Sequence, residues 1–278
     1  MASKVWFITG TSKGFGRVWA EAALERGDRV AATARDAATL APLSEQYGDA
    51  VLTLPLDVTD KAAVDAAVAR AHEHFGRLDV VVNNAGYGLF GMIEEVSEEQ
   101  ARAQIETNLF GALWVTQAAL PFLREQGSGH VIQVSSIGGV NAFPGIGLYH
   151  ASKWGLEGFS QSLAQELAPF GVHVTLVEPT GYSTDWAGPS SITADPLPAY
   201  DEVREAFAAQ TAKRRSNRGV PEATGPAILE LVDADEPPLR AFFGAGTLEM
   251  IRAEYARRLD NWERWDDLAN RAHGQVAA

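Results

Sequence analysis

The chain has 278 residues, 46% hydrophobic and 21% charged, with a formal net charge of −13. That is enough apolar material for one large α/β domain or two small ones, and the negative charge argues against nucleic acid or an anionic membrane as a partner. The absence of cysteine excludes a disulfide framework, a thiolate zinc site and a cysteine nucleophile.

The first four residues lead straight into an apolar run, Val5–Thr9, which reads as a buried strand and leaves no room for a signal peptide. No apolar run approaches the ~18–20 residues that span a bilayer, so the cytoplasm is the expected location. Next comes Thr9-Gly10-Thr11-Ser12-Lys13-Gly14-Phe15-Gly16, opening a helical pattern over Arg17–Arg26. A strand feeding a glycine-rich turn that starts a helix suits a pyrophosphate. The glycines let the backbone approach, and the helix's free N–H groups and dipole favour the negative charge.

Further strands are predicted at Arg29–Ala34, Val51–Leu56, Leu78–Asn83, His130–Ser135, Val172–Val177 and Arg240–Phe243. Helices are predicted between them at Ala38–Tyr47, Lys61–Phe75, Glu98–Phe122, Tyr149–Ala168 and Pro221–Asp233. Runs such as Val80-Val81-Val82 are too continuous for half-exposed strands and suit a parallel sheet covered on both faces. The alternation predicts βαβ units, and so a doubly wound Rossmann fold with seven mainly parallel strands in one domain over residues 1–278.

Tyr182–Gly219 breaks this rhythm. It holds Pro189, Pro196 and Pro198, with Trp186, Tyr200 and Phe207 among small residues. An insertion after a strand's C-terminal end is where open α/β sheets place their ligand crevice, so this segment is expected to be a substrate lid rather than a disordered loop. The tail, residues 248–273, carries Tyr255, Leu259, Trp262, Trp265 and Leu268 at helical spacing. It is expected to be one added helix packing on the lid or on a partner subunit.

Tyr149 and Lys153 stand four apart at the start of a predicted helix, so both side chains emerge on one face. A tyrosine of ordinary pKa about 10 is a sluggish acid–base group at neutral pH, and a neighbouring ammonium favours its phenolate. Ser136, thirteen residues before Tyr149, lies just past the fifth strand, where a hydroxyl could reach a carbonyl oxygen.

The glycine turn, Asp57, Asn83-Asn84-Ala85-Gly86, Asn108, Ser136 and Tyr149-x-x-x-Lys153 occur in this order. Together they resemble the short-chain dehydrogenase/reductase family, in its compact single-domain branch, over roughly Lys4 to Asp185. The resemblance implies Tyr149 as proton donor in carbonyl reduction and base in alcohol oxidation. It implies Ser136 as hydrogen-bond donor to the substrate oxygen, and Lys153 as ribose ligand and depressor of the Tyr149 pKa. Asn108 would interrupt its helix and hold a water that relays protons to Lys153. Gly10, Ser12, Gly14, Phe15 and Gly16 would hold the pyrophosphate, and Asp57 with Val58 the adenine. Asn83, Asn84, Ala85 and Gly86 would support the cofactor cleft, with Pro179 and Thr184 near the nicotinamide carboxamide, and hydride chemistry would belong to the nicotinamide.

Each residue also has a plainer reading. Asn83 and Asn84 could merely cap or turn the chain, and Asn108 could be a solvated helix residue. Ser135 could be mistaken for the catalytic hydroxyl; the family's thirteen-residue spacing selects Ser136. His150 points about a hundred degrees from Tyr149 on a helix and is read as non-catalytic. His72, His74 and His130 show no ligand spacing, so no metal site is expected.

NAD-using relatives commonly carry an acidic residue at the end of the second strand. Here that position is Ala34, followed by Arg35, while Lys13 sits within the glycine turn. Two cations at one end of the adenosine would pair with a 2′-phosphate, so NADP (as NADPH) is the expected cofactor. Asp36, which one residue of register error would make an NAD marker, is read as a turn residue. The family usually has glycine where Thr180 stands, and a β-branched residue is costly there if the backbone needs positive φ.

Phe90, Phe143, Leu148, Tyr182 and Trp186 lie on segments expected to rim the cleft, with no arginine cluster awaiting a charged substrate. A bulky, uncharged ketone or secondary alcohol fits best, with a homo-oligomer (dimer or tetramer) expected from the resemblance. Two other readings are an NADP-binding regulatory protein without turnover and a nucleotide-sugar epimerase or dehydratase. The intact Ser136, Tyr149 and Lys153 speak against the first, and the glycine spacing and chain length against the second.

Overall fold

A computed structural model describes residues 3–184, 186, 188, 190–215 and 218–274. In chain order the strands are β1 (Val5–Ile8), β2 (Arg29–Ala34), β3 (Val51–Pro55), β4 (Val80–Asn83), β5 (Leu89–Phe90), β6 (Gly129–Val134), β7 (Val172–Pro179), β8 (Ile192–Thr193) and β9 (Arg240–Phe243). The helices are α1 (Gly14–Glu25), α2 (Ala41–Tyr47), α3 (Lys61–Phe75), α4 (Glu98–Ile105), α5 (Gly111–Gln126), α6 (Gly147–Leu167), α7 (Asp201–Arg215), α8 (Thr224–Asp233), α9 (Thr247–Arg264) and α10 (Asp266–Ala272).

Seven strands form one sheet in the order β3-β2-β1-β4-β6-β7-β9, and every pairing is parallel. The chain winds outward from β1 to β3, then returns to β4 on the other side of β1. The crevice beyond the C-terminal ends of β1 and β4 is therefore the switch point where such sheets bind ligands.

Alternate residues of each central strand supply opposite faces. Val5, Phe7, Val81 and Val131 pack with Val64 and Val68 of α3, Val115 and Leu123 of α5, and Leu163 and Leu167 of α6. Trp6, Ile8, Val80, Val82 and Ile132 pack on the other face with Trp19 and Leu24 of α1, Leu43 of α2, and Ile228 and Val232 of α8. Burial on both faces is why these strands read as continuous apolar runs. Trp19 is fully buried, and its indole N–H donates to Thr224 Oγ1 at 2.8 Å, joining α1 to α8. Trp19→Ala is expected to lower unfolding free energy by ~3–5 kcal/mol, measured by urea denaturation.

Two expectations are corrected in detail, and two elements were not foreseen. The predicted helix over Glu98–Phe122 is α4, a π-helical turn at Glu106–Phe110, and α5 running on to Gln126. The tail is two helices that break at Trp265, where the backbone (φ −110°, ψ 10°) leaves the helical region. The segment 182–219 contains α7, whose polar sequence gives little apolar periodicity. β5 and β8, two residues each, pair in a separate small sheet and are too short to show a period.

Candidate active site

The glycine turn follows directly from β1. Gly10 and Gly14 take positive φ, 70° and 60°, which residues with a Cβ rarely adopt. Gly16 is needed for space: a Cβ there would lie 2.4 Å from Gly10 O and 2.5 Å from Asn84 Nδ2. The same Asn84 amide donates to Thr9 O at 2.8 Å and Gly10 O at 3.0 Å, so it buttresses the turn from the end of β4. Thr9 Oγ1 accepts from the backbone N–H groups of Asn84 and Ala85, both at 2.9 Å. α1 starts with no side-chain cap at its N-cap, Lys13. The N-cap side chain thus supplies no acceptor to the first-turn N–H groups, and open space lies beside Gly14. This cradle, with Ser12, Phe15 and Ala85 around it, fits a dinucleotide pyrophosphate.

The turn is tied to β2 as well, because Thr11 N donates to Thr33 O at 2.9 Å. Arg35, just past β2, is exposed. Asp36 accepts from Ala38 N at 3.0 Å and caps the short 3-10 turn Ala37–Leu40, so it is a turn residue as expected. Asp57 is exposed and accepts from Thr59 N at 3.0 Å, while Val58 is buried under Gly111. Gly14 and Thr184 line a single cavity of about 470 Å³ with Arg17, Ser183 and Pro221.

Ser136, at the end of β6, caps the turn Ile137–Gly139 by accepting from Gly138 N at 3.0 Å. The Tyr149 hydroxyl faces the Ser136 hydroxyl. Lys153 is one helical turn further along α6. Its Nζ donates to Val134 O at 2.8 Å and lies 5.8 Å from the centre of the Tyr149 ring. All three groups therefore meet at the C-terminal end of β6. Burial pushes the Tyr149 phenol up to about 12 despite the Ser136 hydroxyl, which acts the other way. Burial also pushes Lys153 down to about 8, against the pull of Glu157. The expected lowering of the Tyr149 pKa by Lys153 is not found: burial raises it, and the opposing influence is Ser136.

Asn108 sits buried in the π-helical turn, so its helix is interrupted as the resemblance implies. Its amide clamps the Tyr87 backbone, donating to Tyr87 O at 2.9 Å and accepting from Tyr87 N at 3.1 Å. Its contact towards the lysine is with Ser152 Oγ at 3.4 Å, not with Lys153 itself. A Cβ on Gly86 would meet Asn108 Oδ1 at 3.1 Å, so the loop after β4 closes tightly on this residue.

The family model for short chain dehydrogenases matches residues 4–194. The chain belongs to the short-chain dehydrogenase/reductase family. It is 42% identical over 271 residues to oxidoreductase BOA17 of Botryotinia fuckeliana, covering 96% of this chain and 98% of that one. A short-chain dehydrogenase from Streptomyces avermitilis superposes with a TM-score of 0.90 at 36% identity, covering 98% of each chain. An alcohol dehydrogenase from Thermococcus sibiricus, solved with 5-hydroxy-NADP, gives 0.73 at 26% identity, covering 88% of this chain and 98% of that chain.

The rim residues of this dehydrogenase do not all gather in one place. The Trp186 ring lies 4.8 Å from the Tyr149 ring, with Phe90 5.6 Å beyond it. Gly88 makes room, since a Cβ there would meet Trp186 at 2.9 Å. Phe143 stacks instead on Phe207 of α7, at 6.3 Å. Tyr182 packs edge-on against Phe15 at 4.9 Å, beside the glycine turn. Leu148, expected on the rim, faces a depression lined by Ala101, Ile105, Glu106 and Phe110. It lies about a hundred degrees around α6 from Tyr149.

Residues 197–204 of the inserted segment are clasped to the segment after β5. Arg204 pairs with the buried Glu95 carboxylate at 2.5 Å, and Tyr200 donates to Glu94 at 2.5 Å. Pro179 ends β7 in the core. Among described non-glycine residues none has positive φ, so Thr180 carries no such strain. Gly244 provides its room: a Cβ there would lie 2.0 Å from Thr180 Oγ1. His150 is a strut rather than a base. Its Nδ1 donates to Gly138 O and its Nε2 accepts from Phe143 N, both at 2.9 Å, which fixes one neutral tautomer.

Sequence reasoning missed Thr9, Phe207, Glu157 and Glu178. Thr9 and Phe207 were visible only as members of the glycine turn and of the inserted segment, with no role assigned. The two glutamates were legible only as acidic residues inside apolar runs, at Leu156–Phe159 and Val172–Pro179. Among the described residues no cluster could hold a metal ion, and no helix is long and apolar enough to cross a membrane.

Proposed function

We propose that this dehydrogenase reduces a bulky, uncharged ketone to a secondary alcohol, reversibly, with NADPH as the reductant. The observation that carries the reading is the buried phenol of Tyr149 facing Ser136, with the buried Lys153 Nζ 5.8 Å from its ring centre. When bound, the nicotinamide supplies the hydride. Ser136 would hold the substrate oxygen where charge grows, and Tyr149 would deliver the proton to that oxygen. A phenol held up near 12 is protonated at neutral pH, which favours the reducing direction. Lys153, held near 8, is an ammonium below that value. Loss of its charge weakens Tyr149 as an acid, so the reduction rate is expected to stay level through neutral pH and fall as pH rises through about 8.

Solved neighbours have been crystallised with NADP and with NAD, so the choice of NADPH rests on this chain's own residues. Ala34 offers the 2′ position neither a hydroxyl acceptor nor a repelling charge. Arg35 is exposed beside it, and Asp36 is occupied as a cap. Arg35→Ala is expected to raise the NADPH KM by about tenfold, the scale of one charge-assisted phosphate contact, and to leave the NADH KM nearly unchanged. Equal effects on the two would remove the assignment.

The aromatic slot of Phe90, Trp186 and Tyr149 supports an uncharged substrate with a flat or bulky flank. The proposed homo-oligomer is supported by exposed Tyr255, Leu259, Trp262 and Trp265 on α9 and the turn after it. The deciding experiment is NADPH consumption over a panel of uncharged ketones, run with the parent and with Tyr149→Phe. Turnover confined to the parent supports the reading, and its absence across the panel counts against it.

A further inference from the structure

Behind Lys153 lies a group of buried ionisable side chains that the proposed reaction does not use. Glu157 follows Lys153 by one turn of α6, and Glu178 stands on β7; both are buried, at 5% and 0% exposure. One guanidinium serves both. Arg240 Nε on β9 is 2.8 Å from Glu157 Oε2 and 3.5 Å from Glu178 Oε1, and Arg240 Nη2 donates to Gln161 Oε1 at 3.0 Å. Glu157 Oε1 and both Glu178 oxygens are left without any donor, and so is the neighbouring Ser135 Oγ without a partner. Gly139 makes the space, because a Cβ there would sit 2.5 Å from Ser135 Oγ and 3.1 Å from Glu157 Oε1.

Two adjacent carboxylates in a dry interior cannot both ionise when one guanidinium is shared between them. A proton on either one supplies the donor that the orphaned oxygens lack. We propose that Glu157 and Glu178 share a single proton, and that the one negative charge left on the pair holds Lys153 as an ammonium inside the protein. The groups facing the pair are Lys153 on the same helix, Arg240 on β9, and Ser135 just past β6. Arg240 offsets only part of the pair's charge at Lys153, so the charge felt by Lys153 depends on the pair keeping one proton and only one. Burial raises both carboxyls, Glu178 to about 8, in line with this count. Both glutamates are then positioning residues that act through Lys153. The inference rests on the proposed function only for the importance of Lys153.

The test needs no substrate. The chain has five lysines, so the Lys153 ¹³Cε resonance can be titrated in lysine-labelled protein and assigned with Lys153→Arg. In Glu157→Gln or Glu178→Gln the remaining carboxyl ionises and one charge persists. The Lys153 midpoint should then move by less than about half a pH unit, whereas the double variant should lower it by about one pH unit or more. An unchanged midpoint in the double variant would overturn the proposal, as would a full drop from Glu157→Gln alone. Infrared spectroscopy of the parent at neutral pH gives an independent readout should the double variant not fold. A carboxylic-acid carbonyl band that disappears in either single variant supports the shared proton. Its absence from the parent, or its survival in both, contradicts it.

Discussion

Replacing Tyr149 with phenylalanine is expected to lower kcat for NADPH-dependent ketone reduction by ~10²–10⁴-fold, the usual contribution of a positioned proton donor. The substitution removes one oxygen and keeps the ring, so the packing of Trp186 over the site is retained. Ser136 keeps its bond from Gly138 N, and Lys153 keeps Val134 O. NADPH affinity and the unfolding midpoint should therefore change little, which separates a chemical defect from a structural one. The loss should fall on kcat and kcat/KM alike, as expected for an interaction made in the transition state. A variant within threefold of the parent would show that another group gives the proton; His150 could not, because both its ring nitrogens are already bonded to backbone.

Gly16→Ala should be the most damaging single change in the cofactor cradle. The added methyl carbon would lie 2.4 Å from Gly10 O and 2.5 Å from Asn84 Nδ2. Both are anchored: Gly10 is held by Asn84, and Asn84 by Thr9. Something must shift, and overpacking of this kind costs ~1–3 kcal/mol of stability. The same displacement pulls the first turn of α1 away from the phosphates, so NADPH dissociation constants should rise by about tenfold or more. Gly14→Ala is the informative control. Open space surrounds Gly14, so its cost comes from φ 60° alone, and stability should fall by ~1 kcal/mol. Fluorescence titration with NADPH, paired with urea unfolding, reads both effects. Equal behaviour of the two variants would mean that space at Gly16 is not what the turn needs.

The sheet was legible because its strands are buried on both faces: a stretch such as Val80–Val82 has no polar side to show, and seven such runs set the architecture. The glycine turn and the Tyr149–Lys153 spacing were legible because local geometry fixes them. What escaped was set by contacts between distant segments. The π-helical turn around Asn108 depends on the Tyr87 backbone, twenty-one residues away. The rim depends on which way each residue faces, and this is where Leu148 was misplaced although its neighbour Tyr149 was not. The pKa of Tyr149 likewise follows from burial, which a four-residue spacing does not reveal. Thr180 looked like strain in isolation; its tolerance comes from Gly244 just past the adjacent strand β9, sixty-four positions on.

Isotope transfer tests the central claim most directly. NADPH carrying deuterium at both nicotinamide C4 hydrogens is incubated with the parent protein and a ketone found active in the panel. The account predicts deuterium on the carbinol carbon of the product, on one face only, with the transfer rate cut by the loss of the Tyr149 hydroxyl. Product alcohol free of the label, or labelled equally fast by the phenylalanine variant, would contradict it.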